Sequence, residues 1–174
     1  MLKLTKKTVL YRVTLLFLPI LFLGCSSDRS VNQNTKNTFS TILDNPISLN
    51  EFNLTADDGT EFNVAALKNK WSLLFFGYTH CPDVCPLTLH QLGQARKVLS
   101  KSSDVLPNII MISVDPDRDT TDILHKYVSS FSQPIIGATG LASEIDKLTS
   151  QLGIFYKTNK EEGENYSVSH SAAV

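Results

Sequence analysis

The chain has 174 residues, 42% of them apolar, and a formal net charge of −1 from 16 basic and 17 acidic side chains. That length and apolar share support one compact domain, and the balanced charge leaves no basic face of the kind that binds nucleic acid. A small ligand or a soluble protein partner fits better than a polyanion.

The N-terminus stands apart. Lys3, Lys6, Lys7 and Arg12 precede an apolar run, Val13 to Leu23, that stops at Gly24-Cys25, the layout of a bacterial secretion signal. The run is short for a spanning helix, and LFLGC is similar to a lipoprotein processing site, with Phe22 where Leu is commoner. The similarity implies that residues 1–24 are a signal peptide and that lipid is attached to Cys25; an uncleaved signal anchor is the alternative. Either way the domain is expected in the bacterial cell envelope, membrane-tethered and facing the periplasm or the outside. Ser26 to Asn45 is rich in Ser, Asn, Thr and Gln with few apolar residues, too few to offset the entropy of ordering. Residues 25–45 therefore read as a flexible tether and 46–174 as the domain.

Within it, Phe52 to Phe62 places Asp58-Gly59 between short alternating segments, a hairpin signature. Trp71 to Phe76 is a buried strand candidate, followed by a helix from about Pro86 to Leu99 with Leu87, Leu89, Leu92, Ala95 and Leu99 at helical spacing. Asn108 to Val114 reads as a second buried strand, Thr121 to Phe131 as a helix with polar capping candidates, Pro134 to Gly137 as a short strand and Leu141 to Leu152 as a helix. Strands alternating with helices predict an α/β fold with a mainly parallel sheet covered on both faces. In such sheets ligands gather at the carboxyl ends of strands, where both FFGYTHCPDVCPLTL and Asp115-Pro116-Asp117-Arg118-Asp119 fall.

With Cys25 set aside, Cys81 and Cys85 are the only thiol pair, in a compartment where disulfides persist. So short a loop gains little stability from cross-linking, which favours chemistry over a structural staple. Pro86 suits a first helical position and makes Cys85 the expected N-cap. A helix N-terminus lowers the pKa of a nearby thiol, and thiolate both attacks disulfides and binds soft metals. Redox and metal uses both remain open on spacing alone.

Three stretches carry a family resemblance: FGYTHCPDVCPLTL, SVDPDRDT from Ser113 to Thr120, and YSVSHSAA from Tyr166 to Ala173. Together they resemble the Sco/SenC family of copper-handling proteins. The resemblance implies a thioredoxin-like fold, a central mixed and mainly parallel sheet flanked by helices. It also implies copper ligation by Cys81, Cys85 and His170, and a metallochaperone that delivers copper to, or prepares, the copper centre of a respiratory cytochrome c oxidase. The implied partners are the copper-bearing oxidase subunit, other copper chaperones and a thiol reductant protein. Two thiolates and an imidazole suit Cu(I), with Cu(II) left open; zinc usually takes a fourth ligand, and none is evident. The alternative function is a thiol–disulfide oxidoreductase acting through Cys81 and Cys85, for example on the oxidase's copper-site cysteines. A peroxidase fits less well, because Thr79 lies too close to Cys81 for a Thr-x-x-Cys arrangement.

The remaining candidates have plainer readings. His80 is expected to tune or shield the loop, His90 and His125 to lie on helices, and Met111 to pack in a strand. Asp115 is either a group that orients a ligand through a hydrogen bond or a turn residue paired with Arg118. Ser169 stands where the family commonly has Asp before the ligand histidine. The family continues beyond the position of Val174 into a strand and a helix, so the domain is expected to be incomplete and the His170 segment to fray for want of a strand partner.

Overall fold

The computed structural model describes residues 43–160, 166–171 and 174, and the account below concerns the unit Pro46–Val174. Cys25, the secretion signal and most of the tether lie outside the described residues. No helix among the described residues is long and apolar enough to cross a membrane.

The chain runs β1 (Asn53–Ala56), β2 (Glu61–Asn63), α1 (Val64–Leu67), β3 (Ser72–Gly77), α2 (Val84–Leu99), β4 (Asn108–Ser113), α3 (Thr121–Val128), β5 (Ile135–Thr139), α4 (Ala142–Leu152), β6 (Tyr156–Thr158) and β7 (Val168–His170). The main sheet has the order β2-β1-β5-β4-β3. β3, β4 and β5 are parallel, whereas β1 is antiparallel to both β2 and β5, which makes the sheet mixed.

Successive strand side chains point to opposite faces. Phe75 and Phe76 are both buried, as is every residue from Ile109 to Ile112, so both faces of the parallel strands are covered. This is why SLLFFG and NIIMIS read as continuous apolar runs rather than alternating ones. Leu89 of α2, Leu124 of α3 and Ile145 of α4 complete the core. The expected hairpin is present: the Ala56 N–H donates to the Thr60 carbonyl at 2.8 Å, and Gly59 turns the chain at φ +84°, a conformation that suits glycine.

Three features depart from expectation. α2 begins at Val84 with Asp83 as N-cap, so Cys85 lies inside the first turn and is not the cap. The N–H groups of a first turn have no intrahelical acceptor, so Pro86 is tolerated at the third position as readily as at the first. α1 is a single turn, with Asn63 capping Ala65 N–H, too short to show periodicity. Third, the His170 segment does have a strand partner: β7 pairs antiparallel with β6 in a separate two-stranded sheet, with Tyr156 opposite His170. The expected fraying lacks its premise, since backbone groups of the segment are paired within the described chain.

Candidate metal centre

The cysteine loop and the aspartate loop leave the main sheet at the same edge. β3 and β4 are parallel and in register through Gly77 and Ser113, and the Val114 N–H donates to the Gly77 carbonyl at 2.9 Å. Just beyond, the fully buried Asp119 ties the two loops together. It accepts from Thr79 N–H at 3.0 Å, from the Thr79 hydroxyl at 2.5 Å and from the Ser113 hydroxyl at 2.6 Å. A buried carboxylate with three donors is satisfied rather than stranded, and here it sets where the chain enters the Tyr78–Cys81 turn, closed by Cys81 N–H on the Tyr78 carbonyl at 3.2 Å. The tie between Asp119 and Thr79 has no counterpart among the sequence expectations; an acidic residue soon after a strand end is the one signal for it.

The two thiols are free and unlike each other. Cys81 is half-buried and accepts the Cys85 backbone N–H at 3.4 Å. Burial alone raises its pKa, but the N–H groups of Asp83, Val84 and Cys85, with the Cys85 thiol, outweigh burial and hold Cys81 below its ordinary value. Cys85 is fully buried, and burial, aided by the neighbouring Cys81 and Asp119, pushes its thiol up to about 12. Gly77 makes this burial possible: a Cβ there would sit 3.0 Å from Cys85 Sγ and 2.7 Å from the Phe75 ring.

His170 arrives from the other sheet. Its Nε2 lies 3.7 Å from Cys85 Sγ, across 85 residues of sequence. Two donors at ordinary bond lengths around one ion are on the order of 3.6–3.8 Å apart, so an ion fits between them with little movement. Nδ1 lies 3.0 Å from the Ser171 carbonyl; a carbonyl only accepts, so Nδ1 carries the proton and Nε2 presents its lone pair toward the thiol. The rings of Phe75 and Tyr78 meet the imidazole edge-on at 6.2 and 6.1 Å. Among the described residues no three His, Cys, Asp or Glu side chains are already closed into a cage; Cys81 meets Cys85 both through the Cys85 backbone N–H and thiol to thiol.

The other candidates go elsewhere. Asp115 is buried, pairs with Arg118 at 2.6 Å and accepts from the Tyr166 hydroxyl at 2.6 Å; it holds the segment that carries His170 rather than touching the imidazole. Arg118 also stacks on the Tyr166 ring, 3.6 Å from its centroid. The expected pairing of Asp115 with Arg118 is present, and its other carboxylate oxygen goes to Tyr166. His80 is half-exposed, with Nδ1 3.1 Å from the Thr79 hydroxyl and 3.9 Å from Asp119. His90 is exposed on α2, His125 pairs with Asp57 at 2.7 Å, and Met111 is buried in β4.

The family model described as SCO1/SenC matches residues 41–174. The chain belongs to the SCO1/SenC family. It is 41% identical over 122 residues to Protein SCO1 homolog 1, mitochondrial, of Arabidopsis thaliana, covering 69% of this chain and 36% of that protein. The chain spans from about a third to three-fifths of the length of the curated relatives it matches. Among solved structures, Arabidopsis thaliana ScoI with copper bound superposes with a TM-score of 0.67 at 39% identity, covering 71% of this chain and 76% of that one. BsSco, described as carrying a disulfide switch and as a member of the Sco family of cytochrome c oxidase assembly proteins, gives a TM-score of 0.52 at 26% identity, covering 63% and 67%. The fold is the thioredoxin-like fold of these Sco structures.

Proposed function

We propose that this protein is a copper-binding metallochaperone that delivers copper to, or prepares, the copper centre of a respiratory cytochrome c oxidase. The observation that carries the reading is the contact between His170 Nε2 and Cys85 Sγ, beside a second thiol, Cys81, of lowered pKa. The likeness to a ScoI that binds copper and to an oxidase assembly protein supports it. Copper is the cargo. Two soft sulfurs and an imidazole match Cu(I).

The three donors have separate tasks. Cys81, the better thiolate and the more exposed, captures the ion and is where a partner's thiolate competes for it on release. Cys85 gives up its proton as copper binds, which makes uptake weaker in acid. His170 closes the site with Nε2, oriented by the Ser171 carbonyl. A lipid on Cys25 would hold the domain at a membrane of the cell envelope, facing the periplasm or the outside; Cys25→Ser should release the protein from membranes or block its processing.

The test is a competition titration of Cu(I) against a chelator. One copper per chain is expected for wild type, loss of tight binding for Cys81→Ala or Cys85→Ala, and weaker binding with faster exchange for His170→Ala. Equal binding by wild type and His170→Ala would remove His170 from the ligand set.

The asymmetry of the thiols favours one second reading, a thiol–disulfide oxidoreductase. Cys81 thiolate would attack a target disulfide and expel one target thiolate. Cys85, giving its proton to solvent, would then attack the mixed disulfide, leaving a Cys81–Cys85 disulfide and a reduced target. Turnover would need an external dithiol reductant. Reduction of a target disulfide by a chain that binds no copper would favour this reading.

A further inference from the structure

The donors proposed for copper come from two separate parts of the fold, and one residue touches both. Tyr78 directly follows β3, is 5% exposed, and opens the turn that ends at Cys81. Its backbone N–H is directed at the Cys85 sulfur. Its ring meets the His170 imidazole edge-on at 6.1 Å, with the two planes at 89°. Its hydroxyl oxygen receives the backbone N–H of Val168, two residues before His170 in β7.

The strand register explains why that N–H is available. Asn159 N–H donates to the Ser167 carbonyl at 2.9 Å, and Ser171 N–H to the Phe155 carbonyl at 2.8 Å. Bonded and non-bonded pairs alternate along an antiparallel ladder. Thr158–Val168 and Tyr156–His170 are therefore the non-bonded pairs, and the Val168 N–H turns away from β6. Val168 is 4% exposed, and a buried N–H without an acceptor costs folding free energy. The Tyr78 phenol supplies the acceptor. Phe75 also meets the imidazole, at 6.2 Å, but its ring offers no such hydrogen bond. The Arg118 guanidinium, 5.8 Å from the Tyr78 ring centroid and 3.6 Å from that of Tyr166, braces the phenol.

We propose that Tyr78 positions the two kinds of donor, its main chain on the Cys85 sulfur and its ring and hydroxyl on the strand of His170. It thereby sets the 3.7 Å between Cys85 Sγ and His170 Nε2 before any ion arrives. Tyr78 is a positioning residue, since it touches the donors and not the ion. The role deepens the copper reading and rests on it. Donors already spaced for an ion spare binding the cost of gathering them, and the hold on His170 governs how readily the ion leaves.

Tyr78→Phe keeps the ring and deletes the acceptor. In the metal-free full chain, the Val168 amide should be protected from hydrogen exchange in wild type and exchange on the order of tenfold faster in Tyr78→Phe, with Asn159 and Ser171 unchanged. The nuclear Overhauser contact between the His170 ring and the Cys85 β-protons should weaken with it. In the Cu(I)-loaded chain, transfer of copper to a chelator should quicken about fivefold in Tyr78→Phe, and further in Tyr78→Leu, which deletes the ring as well. On a His170→Ala background Tyr78→Phe should leave transfer unaltered, because its effect runs through His170. Equal Val168 exchange in wild type and Tyr78→Phe overturns the proposal, as does equal quickening with and without His170. Protection lost along the whole β6–β7 ladder overturns it too, because Tyr78 would then hold the fold and not the donor. A wild-type chain that shows the Overhauser contact yet takes up no copper overturns the copper reading and leaves the placing of His170 by Tyr78 standing.

Discussion

Cys81 and Cys85 on one side and His170 on the other are held in different ways. The thiols are rooted in the core: β3 leads into their loop, Asp119 locks it through Thr79 and Ser113, and Cys85 packs against Gly77 with no exposure. His170 rides on a hairpin of two three-residue strands outside the main sheet. That hairpin is tied down by side chains: Tyr166 to Asp115, Arg118 on the Tyr166 ring, and ring edges around the imidazole. Changes near the cysteines should therefore cost folding and binding together, whereas changes around His170 should cost binding first.

The sharpest contrast lies within the thiol half. Cys81 is lowered and half-exposed, Cys85 buried and raised to about 12. At neutral pH Cys81 should alkylate faster by on the order of a hundredfold, the lower intrinsic nucleophilicity of the low-pKa thiolate offsetting part of the difference in ionisation. Mass spectrometry of partly alkylated, metal-free protein checks this. Equal labelling would place the two sulfurs in equivalent surroundings.

Next in size is Gly77→Ala. The added carbon meets Phe75 and Cys85 Sγ in the core, so destabilisation of about 2 kcal/mol is expected, accompanied by weaker copper binding. Urea unfolding and the copper titration should move together. On the hairpin side, Tyr166→Phe deletes the hydroxyl that donates to Asp115 and should cost about 1 kcal/mol while quickening copper exchange. A large fall in stability with unchanged exchange would reverse the assigned roles of the two regions.

Alkali loads both regions at once. Cys85 is raised from 9.0 to about 12 and Tyr166 from 10.0 to about 12, both chiefly by burial. The unfolded chain loses these protons at lower pH than the folded one. Their contribution to stability is thus complete below about pH 9 and drains away as pH rises toward 12. Urea midpoints across that window should fall for the metal-free protein, and less steeply for Cys85→Ala.

The sequence discloses what depends on composition and long pattern. SLLFFG and NIIMIS announce buried parallel strands because both faces are covered, and the capping candidates announce the helix expected over Thr121 to Phe131, which starts at Thr121 and ends at Val128. The start of α2 was misplaced because a proline in any first-turn position leaves the same trace. β6 and β7, at three residues each, are too short for periodicity to register, so the scaffold of His170 was invisible although the residue itself was named. The tie of Asp119 to Thr79 is a contact across 40 residues, which spacing does not encode.

X-ray absorption at the copper edge, on the Cu(I)-loaded full chain and its His170→Ala variant, tests the joining of the two regions most directly. Two sulfur neighbours and one nitrogen are expected for wild type, and two sulfurs without that nitrogen for the variant. Identical spectra, or a wild-type site of sulfur alone, would contradict a copper centre shared between the core-bound thiols and the hairpin histidine.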